Sequence, residues 1–378
     1  MSYIFLLGRK ERLSIAELRS RLGNIEPLSQ QAALFNGKLP DDPQKFLDSL
    51  GGTVKICEVI EETSDVRKSV EKFLQNHFKD ATSKINYGLS LYKLAHGHEI
   101  FLKNLLKDSK KSLQEAGIKA RFVNKDFKNV ANTAIQDSGL LRHGVELCTF
   151  LDKKKYLTKT VAAQDFKSYG FRDYERPARD SKSGMLPPKL AQMMINLSGA
   201  KPGQKIWDPF CGSGTVLMEG LLMGMNVIGS DINGKAVKDS DKNLKWLDHH
   251  FKFNGEWEVL EHDACNTLDG IKPDVIITET YLGPALFKFP GEQNTKKCLS
   301  EVGEIVYEFL QNLEQKCPIV LAIPFIRSKQ KNFHIENFVE KVQELGYSVP
   351  ALDEQNKSLL YDRPEQIVGR EIFKLEHA

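Results

Sequence analysis

The sequence lacks the features that would indicate a disulfide-bonded, metal-binding or membrane protein. Its six cysteines are scattered and form no C-x-x-C pair, so neither a disulfide framework nor a zinc site is predicted. The apolar run that ends at Leu7 is five residues long, which is too short for a signal peptide or a membrane span. We therefore expect a cytoplasmic protein with no bound metal and no membrane association.

A strong charge imbalance is missing as well, because the formal net charge is only +3. A hydrophobic content of 41% is typical of a soluble globular protein, and 378 residues predict two or three domains. Between residues 101 and 130, however, eight basic side chains face three acidic ones. This excess suits contacts with a nucleic-acid backbone, but taken by itself it favours a solvated lysine-rich helix face. The candidate RNA-binding residues here are Lys103, Lys107, Lys110, Lys111, Lys119 and Arg121.

The run Asp208-Pro-Phe-Cys-Gly-Ser-Gly-Thr215 is the most informative motif in the chain. An apolar strand precedes it and a helical pattern follows it, so its turn places backbone N–H groups at the carboxyl end of a strand. Gly212 and Gly214 are expected to admit a ligand where a Cβ atom would clash. The run resembles motif I of class I S-adenosylmethionine methyltransferases, particularly those that act on exocyclic amines of nucleic-acid bases.

A second acidic residue stands where a nucleotide site would need one. Asp231 ends the next apolar strand, 23 residues after Asp208, and its carboxylate is well placed to accept hydrogen bonds from a ribose diol. A dinucleotide site would also need a third glycine three positions after the second, and Leu217 occupies that position. This residue disfavours a nicotinamide dehydrogenase, the alternative that a glycine turn alone leaves open.

The fold class predicted from the pattern is α/β. From Met185 onward, short apolar strands alternate with amphipathic helices, which is typical of a mostly parallel, doubly wound sheet. Two further strands over residues 357–374 predict a C-terminal antiparallel hairpin, which class I methyltransferases usually have and dehydrogenases usually lack. The earlier part of the chain mixes helices and strands in two α+β segments, 1–68 and 69–162.

Residues 163–184 are predicted to be a linker with a function of its own. The segment interleaves arginine with aromatic residues, whereas a passive linker is richer in glycine, serine and proline. Arginine and aromatic side chains together suit phosphates and unstacked bases. The predicted RNA-binding residues of this segment are Arg172, Arg176 and Arg179.

Motifs spread over nearly the whole chain resemble THUMP-domain tRNA (guanine-N2) methyltransferases of the kind that modifies guanosine 10 in archaea and eukaryotes. The matching pieces are Tyr3-Ile-Phe-Leu-Leu-Gly8, Ala163-Gln-Asp-Phe166, Gly184-Met-Leu-Pro-Pro-Lys-Leu-Ala191, the Asp208–Thr215 run and Tyr361-Asp-Arg-Pro-Glu-Gln366. The resemblance implies, in order, a ferredoxin-like domain, a THUMP RNA-binding domain, a linker and a Rossmann-like class I methyltransferase domain, over 1–68, 69–162, 163–184 and 185–378. It also implies that THUMP grips the 3′ end and acceptor stem of tRNA, which favours the nucleic-acid interpretation of the basic residues between 101 and 130. We expect a monomer, and the need for a small activating protein partner stays open.

The same resemblance implies S-adenosylmethionine as the cofactor. The residues it assigns to cofactor binding are Asp208, Gly212, Ser213, Gly214, Asp231, Asp263 and Ala264. Asp263 follows the third strand, where related enzymes hold the adenine amino group with an acidic side chain. An ordinary surface aspartate is the alternative at that position.

The predicted catalytic loop departs from the family pattern. Amine-directed methyltransferases carry [D/N]-P-P-[Y/F] after the fourth strand, whereas this chain reads Thr278-Glu-Thr-Tyr-Leu-Gly283. Glu279 takes the acidic position, and Tyr281 supplies a ring one place early. These are the predicted catalytic residues, because acceptors on the N–H groups of an exocyclic amine favour its attack on a methyl group held in line. We favour a variant active loop over an inactive one.

We therefore predict methyl transfer from S-adenosylmethionine to N2 of a guanine in tRNA, with guanosine 10 as the position that the resemblance implies. Two alternatives stay open. One is a methyltransferase for another base amine, such as adenine N6 or N2 of an rRNA guanine. The other is a non-catalytic tRNA-binding protein with a decayed catalytic loop.

Overall fold

The described residues form two compact units. The computed structural model describes residues 1–92, 98–152, 154–179, 184–268 and 270–378. The first unit contains residues 1–11 and 22–168, and the second contains residues 12–21 and 169–378. The observed division at residue 168 falls inside the predicted linker, of which residues 180–183 lie outside the described residues.

The first unit is built on one eight-stranded sheet. Its strands are β1 (Ser2–Leu7), β2 (Glu26–Ser29), β3 (Ala32–Asn36), β4 (Thr53–Glu62), β5 (Ile85–Tyr92), β6 (Ala120–Phe122), β7 (Val145–Leu151) and β8 (Lys155–Ala163). Their order across the described sheet is β2-β3-β1-β4-β8-β7-β5-β6. Because β4 pairs antiparallel with β8, the segments predicted as separate domains, 1–68 and 69–162, share this sheet and are not separate compact units.

The structure describes six helices in the first part of the chain. They are α1 (Glu11–Leu22), α2 (Pro43–Asp48), α3 (Val66–His77), α4 (His98–Glu115), α5 (Asn132–Asp137) and α6 (Phe166–Gly170). Helix α4 buries leucines at 102, 105, 106 and 113, a helical spacing that leaves its lysines on the opposite, exposed face. Residues 12–21 of α1 group with the second unit, where Leu13 and Ala16 enter the apolar core.

A buried ion pair lies within the first unit. The Lys55 ammonium is 2.6 Å from Oε1 of Glu146 and also donates to the carbonyl oxygen of Val130. Hydroxyl groups of Ser90 and Thr160 donate to the same carboxylate. Since both charged side chains are almost fully buried, these hydrogen bonds are what make the pair tolerable in the core.

The second unit contains the predicted doubly wound sheet. Its strands are β9 (Lys205–Asp208), β10 (Asn226–Asp231), β11 (Trp257–Glu261), β12 (Val275–Glu279), β13 (Ile319–Arg327), β14 (Asn332–Phe333), β15 (Tyr347–Ser348), β16 (Ser358–Tyr361) and β17 (Val368–His377). The order is β11-β10-β9-β12-β13-β17-β15, with β14 on β13 and β16 on β17. The first five are parallel to one another, and β16 and β17 form the predicted antiparallel hairpin against β13.

Helices cover both faces of this sheet. They are α7 (Pro188–Ser198), α8 (Thr215–Leu222), α9 (Gly234–His250), α10 (Glu292–Asn312) and α11 (Phe338–Glu344). One apolar core contains residues of α7, α8 and α9, and a second contains residues of α10 and α11. None of the helices among the described residues combines the length and the apolar character that crossing a membrane requires.

Candidate active site

Four neighbouring strands bring the predicted acidic residues to one edge of the second unit's sheet. Asp208 ends β9, Asp231 ends β10 and Glu279 ends β12, whereas Asp263 follows the last residue of β11 by two positions. These strands are parallel and adjacent, so their carboxyl ends meet at the same edge. The structure therefore brings together the acidic positions that the sequence selected.

The turn after Asp208 needs glycine for two different reasons. Gly212 and Gly214 have φ angles of 52° and 81°, a backbone conformation that disfavours other residues. A Cβ atom on Gly214 would lie 2.3 Å from Oγ of Ser240. A Cβ atom on Gly212 would meet no protein atom within 4 Å, so the expected clash arises at Gly214, against the protein itself, and Gly212 borders open space.

Asp231 organises the turn as well as the strand that it ends. Its Oδ2 accepts the backbone N–H of Gly212 at 2.9 Å, and its Oδ1 accepts the backbone N–H of Asn233 at 2.9 Å. Each oxygen keeps further acceptor capacity, because a carboxylate oxygen has two lone pairs. The next side chain, Ile232, is 68% exposed and places an apolar surface beside this carboxylate.

Asp208 is almost completely buried at the end of β9. Its Oδ1 accepts the hydroxyl hydrogen of Thr278 at 2.6 Å and the backbone N–H of Phe210 at 3.2 Å. Burial raises the pKa of Asp208 to about 8, although the hydrogen bond from Thr278 acts in the opposite direction. The carboxyl group is therefore mostly neutral at pH 7, and Asp208 contributes shape and hydrogen bonds to the site more than charge.

A cavity of about 310 Å³ opens beside the glycine turn. The predicted residues that line it are Asp208, Gly212, Ser213, Glu279 and Arg179. The predicted cofactor residues outside its described lining are Gly214, Asp231, Asp263 and Ala264. Asp231 acts on the cavity through the hydrogen bonds that fix Gly212 and Asn233, which both line it.

Glu279 lines the cavity and forms an ion pair with Arg370 that is partly buried. Nε of Arg370, on β17, donates to Oε1 of Glu279 at 2.5 Å. Burial raises the pKa of Glu279, and the charge of Arg370 opposes that rise. The predicted acceptor is thus present at the cavity wall with one oxygen already engaged.

The loop after Glu279 presents aromatic rings to solvent. Tyr281, the second predicted catalytic residue, is 49% exposed, and Phe287 is 91% exposed. The start of the loop is fixed, because both the backbone N–H and the hydroxyl group of Thr280 donate to the carbonyl oxygen of Ala322. The ring that the sequence selected is therefore available for contact with a base.

Two of the three predicted RNA-binding arginines in the 163–184 segment have structural roles instead. Arg172 is buried and its Nε donates to Oε1 of Glu219 at 2.7 Å, while Arg176 is buried with Nη1 2.8 Å from Oγ1 of Thr215. The segment forms α6 and a π-helical turn, Phe171–Glu175, so it is not an extended linker. Arg172 and Arg176 have no exposed guanidinium to offer RNA, which corrects the prediction for both.

Arg179 differs from these two arginines. Its side chain is exposed, lines the cavity and lies over the ring of Tyr174, with its central carbon 5.4 Å from the ring centroid. Tyr174 itself is 59% exposed. The pair thus offers a cation and an aromatic face at the rim of the cavity.

The predicted basic residues of the first unit are all exposed. They are Lys103, Lys107, Lys110, Lys111, Lys119 and Arg121. Lys103 lies 5.3 Å from the ring centroid of Phe127, and Lys110 lies 5.9 Å from that of Phe122. A surface carrying cations beside half-buried rings has the chemistry that suits RNA, although a solvated lysine face would expose the same side chains.

The most informative residue that the sequence did not reveal is Asn243 on α9. Its Nδ2 donates to the carbonyl oxygens of Ser213 at 2.8 Å and of Ala178 at 2.9 Å, and its Oδ1 accepts the N–H of Ala178. This buried amide ties the glycine turn to the segment that precedes Arg179. An asparagine amid charged residues of a helix gives no local signal of such contacts.

Part of the second unit is similar in sequence to known methyltransferases. Residues 176–286 match the family model UPF0020, described as RMKL-like, methyltransferase domain. The tRNA (guanine(10)-N2)-dimethyltransferase of Methanothermobacter thermautotrophicus is 41% identical over 100 residues, 26% of this chain and 28% of that protein. The tRNA (guanine(10)-N(2))-methyltransferase of Saccharomyces cerevisiae is 25% identical over 215 residues, 48% of this chain and 49% of that protein.

The fold has a counterpart over the full length of the chain. The crystal structure of TrmN from Thermus thermophilus aligns with a TM-score of 0.53 and 13% identity, and the alignment covers 100% of both chains. The sequence matches, in contrast, span less than half of either relative. The chain has the class I methyltransferase fold that the sequence predicted, and its residues 176–286 are similar to the RMKL-like methyltransferase domain.

Proposed function

We propose that this chain transfers a methyl group from S-adenosylmethionine to the exocyclic N2 of a guanine in tRNA, at guanosine 10. The observation that carries the proposal is the cavity at the carboxyl edge of the sheet, where the glycine turn and the Glu279 carboxylate meet. The names of the archaeal and yeast relatives supply the substrate and the position.

The residues around the glycine turn fit the cofactor. Open space next to Gly212 leaves room for a ligand against the backbone, and Asp231 keeps lone pairs for a ribose diol. The exposed side chain of Ile232 offers an apolar surface for the adenine ring, and Asp263 lies past the neighbouring strand to accept its amino group. When bound, S-adenosylmethionine supplies an electrophilic methyl group on its sulfonium.

Glu279 is the residue that we assign to the target amine. The nitrogen of an exocyclic amine shares its lone pair with the base ring and is a weak nucleophile. A carboxylate that accepts from its N–H groups increases the electron density on nitrogen and fixes its direction. We further propose that Tyr281 stacks on the guanine, since its exposed ring follows Glu279 by two residues.

We propose that the first unit holds the tRNA. The exposed basic residues of α4 and of the strand that follows it lie in the segment 69–162, which the resemblance assigns to a THUMP RNA-binding domain. The affinity should depend strongly on salt, because each phosphate contact releases a counterion. At the cavity, the exposed pair Arg179 and Tyr174 would make a further contact with the tRNA.

The decisive experiment uses purified full-length chain, S-adenosylmethionine and a tRNA transcript, followed by mass spectrometry of the nucleosides. We expect N2-methylguanosine or its dimethyl form, and none when inosine, which lacks the exocyclic amine, replaces guanosine 10. Methyladenosine, or unchanged yield with inosine, would assign a different amine. Binding of both ligands with no transfer to tRNA or rRNA would leave the non-catalytic tRNA-binding alternative.

A further inference from the structure

Arg370 is a buried cation that links three parts of the candidate active site. It lies on β17 and is 2% exposed. Nε donates to Oε1 of Glu279 at 2.5 Å, and Nη2 donates to the carbonyl oxygen of Gly184 at 3.1 Å. Nη1 lies 3.5 Å from Oε1 of Gln366, at the end of the turn before β17. One guanidinium therefore joins the predicted acid, the cavity rim and the C-terminal hairpin.

The pair lies at the cavity wall, where it can act on a bound substrate. Glu279 and Gly184 both line the cavity, and both contact the same guanidinium. Within the described parts of the chain, the hydrogen bonds of Glu279 engage Oε1 and leave Oε2 without a donor. Arginine presents its N–H groups in a rigid planar fork, so a carboxylate bound to it has a defined orientation.

The altered loop explains why such an anchor is needed. Thr280 and Tyr281 stand where the resembling loops have two prolines, so the backbone loses the restriction that proline places on φ. Glutamate also has one more rotatable bond than aspartate. An unanchored carboxylate would therefore sample several positions, and a displacement of about 1 Å can reduce the rate about a hundredfold.

We propose that Arg370 is a positioning residue that holds Glu279 with Oε2 towards the target amine, in place of the fixed backbone that two prolines would give. This role rests on the proposed function, because it needs an amine for Glu279 to accept from. Arg370 acts through Glu279 and does not itself touch the substrate.

The positive charge of Arg370 should also affect the pH dependence of methyl transfer, which can be measured. Among the described residues, Arg370 on β17 contacts Glu279. The other charged and titratable side chains that line the cavity with Glu279 are Arg179, Asp208, Cys211, Lys235 and Asp239. Burial raises the pKa of Glu279 while Arg370 lowers it. Without the guanidinium, the carboxyl group would stay protonated to higher pH, and a protonated oxygen is a poorer acceptor.

The test compares Arg370→Gln with Arg370→Lys and with a matched control, Arg172→Gln, which breaks a different arginine–glutamate pair in the second unit. Methyl transfer to tRNA is measured from pH 5.5 to 9 as kcat and KM, together with urea stability. For Arg370→Gln we expect kcat at pH 7 to fall about a hundredfold, with KM for tRNA changed less than about threefold. The acidic limb of the pH–rate profile of Arg370→Gln should move to higher pH by about one unit or more, so that activity partly returns at pH 9.

The other variants separate positioning from stability. Arg370→Lys keeps the charge but lacks the fork, so it should keep the wild-type pH profile with an intermediate kcat. Arg172→Gln should lower stability without moving the pH profile. A loss of activity in Arg370→Gln with an unmoved acidic limb would overturn the positioning role and leave the proposed function standing. Wild-type chain that transfers no methyl group would overturn both.

Discussion

The buried carboxyl group of Asp208 predicts an unusual pH dependence of stability. Burial raises its pKa from 3.8 in a free aspartate to about 8 in the folded chain. Between these two values the folded state binds a proton that the unfolded state releases, so unfolding becomes easier as the pH rises. Above pH 8 both states are ionised, and this contribution no longer changes.

The structure gives the size of the effect. One pH unit corresponds to about 1.4 kcal/mol, so the free energy of unfolding should fall by about 4 kcal/mol between pH 5 and pH 8 through this group alone. Asp208→Asn removes the titration, and its amide oxygen can still accept from the hydroxyl group of Thr278. The variant should therefore be more stable than wild type at pH 8, by an amount that shrinks towards pH 5.

Urea unfolding, monitored by tryptophan fluorescence, measures this difference in the second unit, which contains Asp208. All three tryptophans, Trp207, Trp246 and Trp257, lie in the second unit. Other titrating groups cancel in the comparison of wild type with Asp208→Asn. Asp248→Asn, at an exposed position of α9, is the control and should follow wild type. Parallel stability curves for wild type and Asp208→Asn from pH 5 to 8 would refute the reasoning.

Four further predictions follow from the contacts described. Glu279→Ala should reduce methyl transfer at least about a hundredfold while calorimetry still detects S-adenosylmethionine binding, and Glu279→Asp should also lose activity because its oxygen falls short. Asp231→Ala should weaken S-adenosylmethionine binding on the order of tenfold or more, measured by calorimetry; unchanged affinity would remove it from the cofactor site. Lys110→Glu with Lys111→Glu should weaken tRNA binding and flatten its salt dependence in filter binding; equal affinity would indicate a solvated face. Lys55→Met should lower the free energy of unfolding by about 3–5 kcal/mol in urea, since it strands a buried carboxylate.

The cofactor-binding edge was predictable because its requirements are local. A strand, a glycine turn and a helix occupy consecutive residues, and the positive φ angles of Gly212 and Gly214 are properties of those positions. The acidic residues could be placed because each ends a strand or follows it within two residues. The hairpin β2–β3 was missed, in contrast, because Pro27 and polar residues hide a short edge strand, where a missing N–H donor is tolerated.

The predicted linker shows why residue type alone misassigned two arginines. Arg172 and Arg176 interleave with aromatic residues, a pattern that suits RNA and equally suits a helical segment packed on a core. The deciding partners, Glu219 and Thr215, lie 47 and 39 residues further along the chain. The ring of Phe171 packs 4.9 Å from that of Trp246, which fixes the segment against α9.

The catalytic loop has one feature that the sequence reveals and one that only the fold reveals. The sequence shows that Glu279 replaces a shorter acid and that two prolines are absent, which leaves a decayed site open as the alternative to a variant active loop. The compensating residue, Arg370, lies 91 positions away on β17, which β13 separates from β12 in the folded sheet. The planar guanidinium of Arg370 gives the Glu279 carboxylate a defined orientation at the cavity wall, which supplies the restriction that the loop lacks without its prolines. The ion pair therefore favours an active loop whose acid is held by a partner outside the motif.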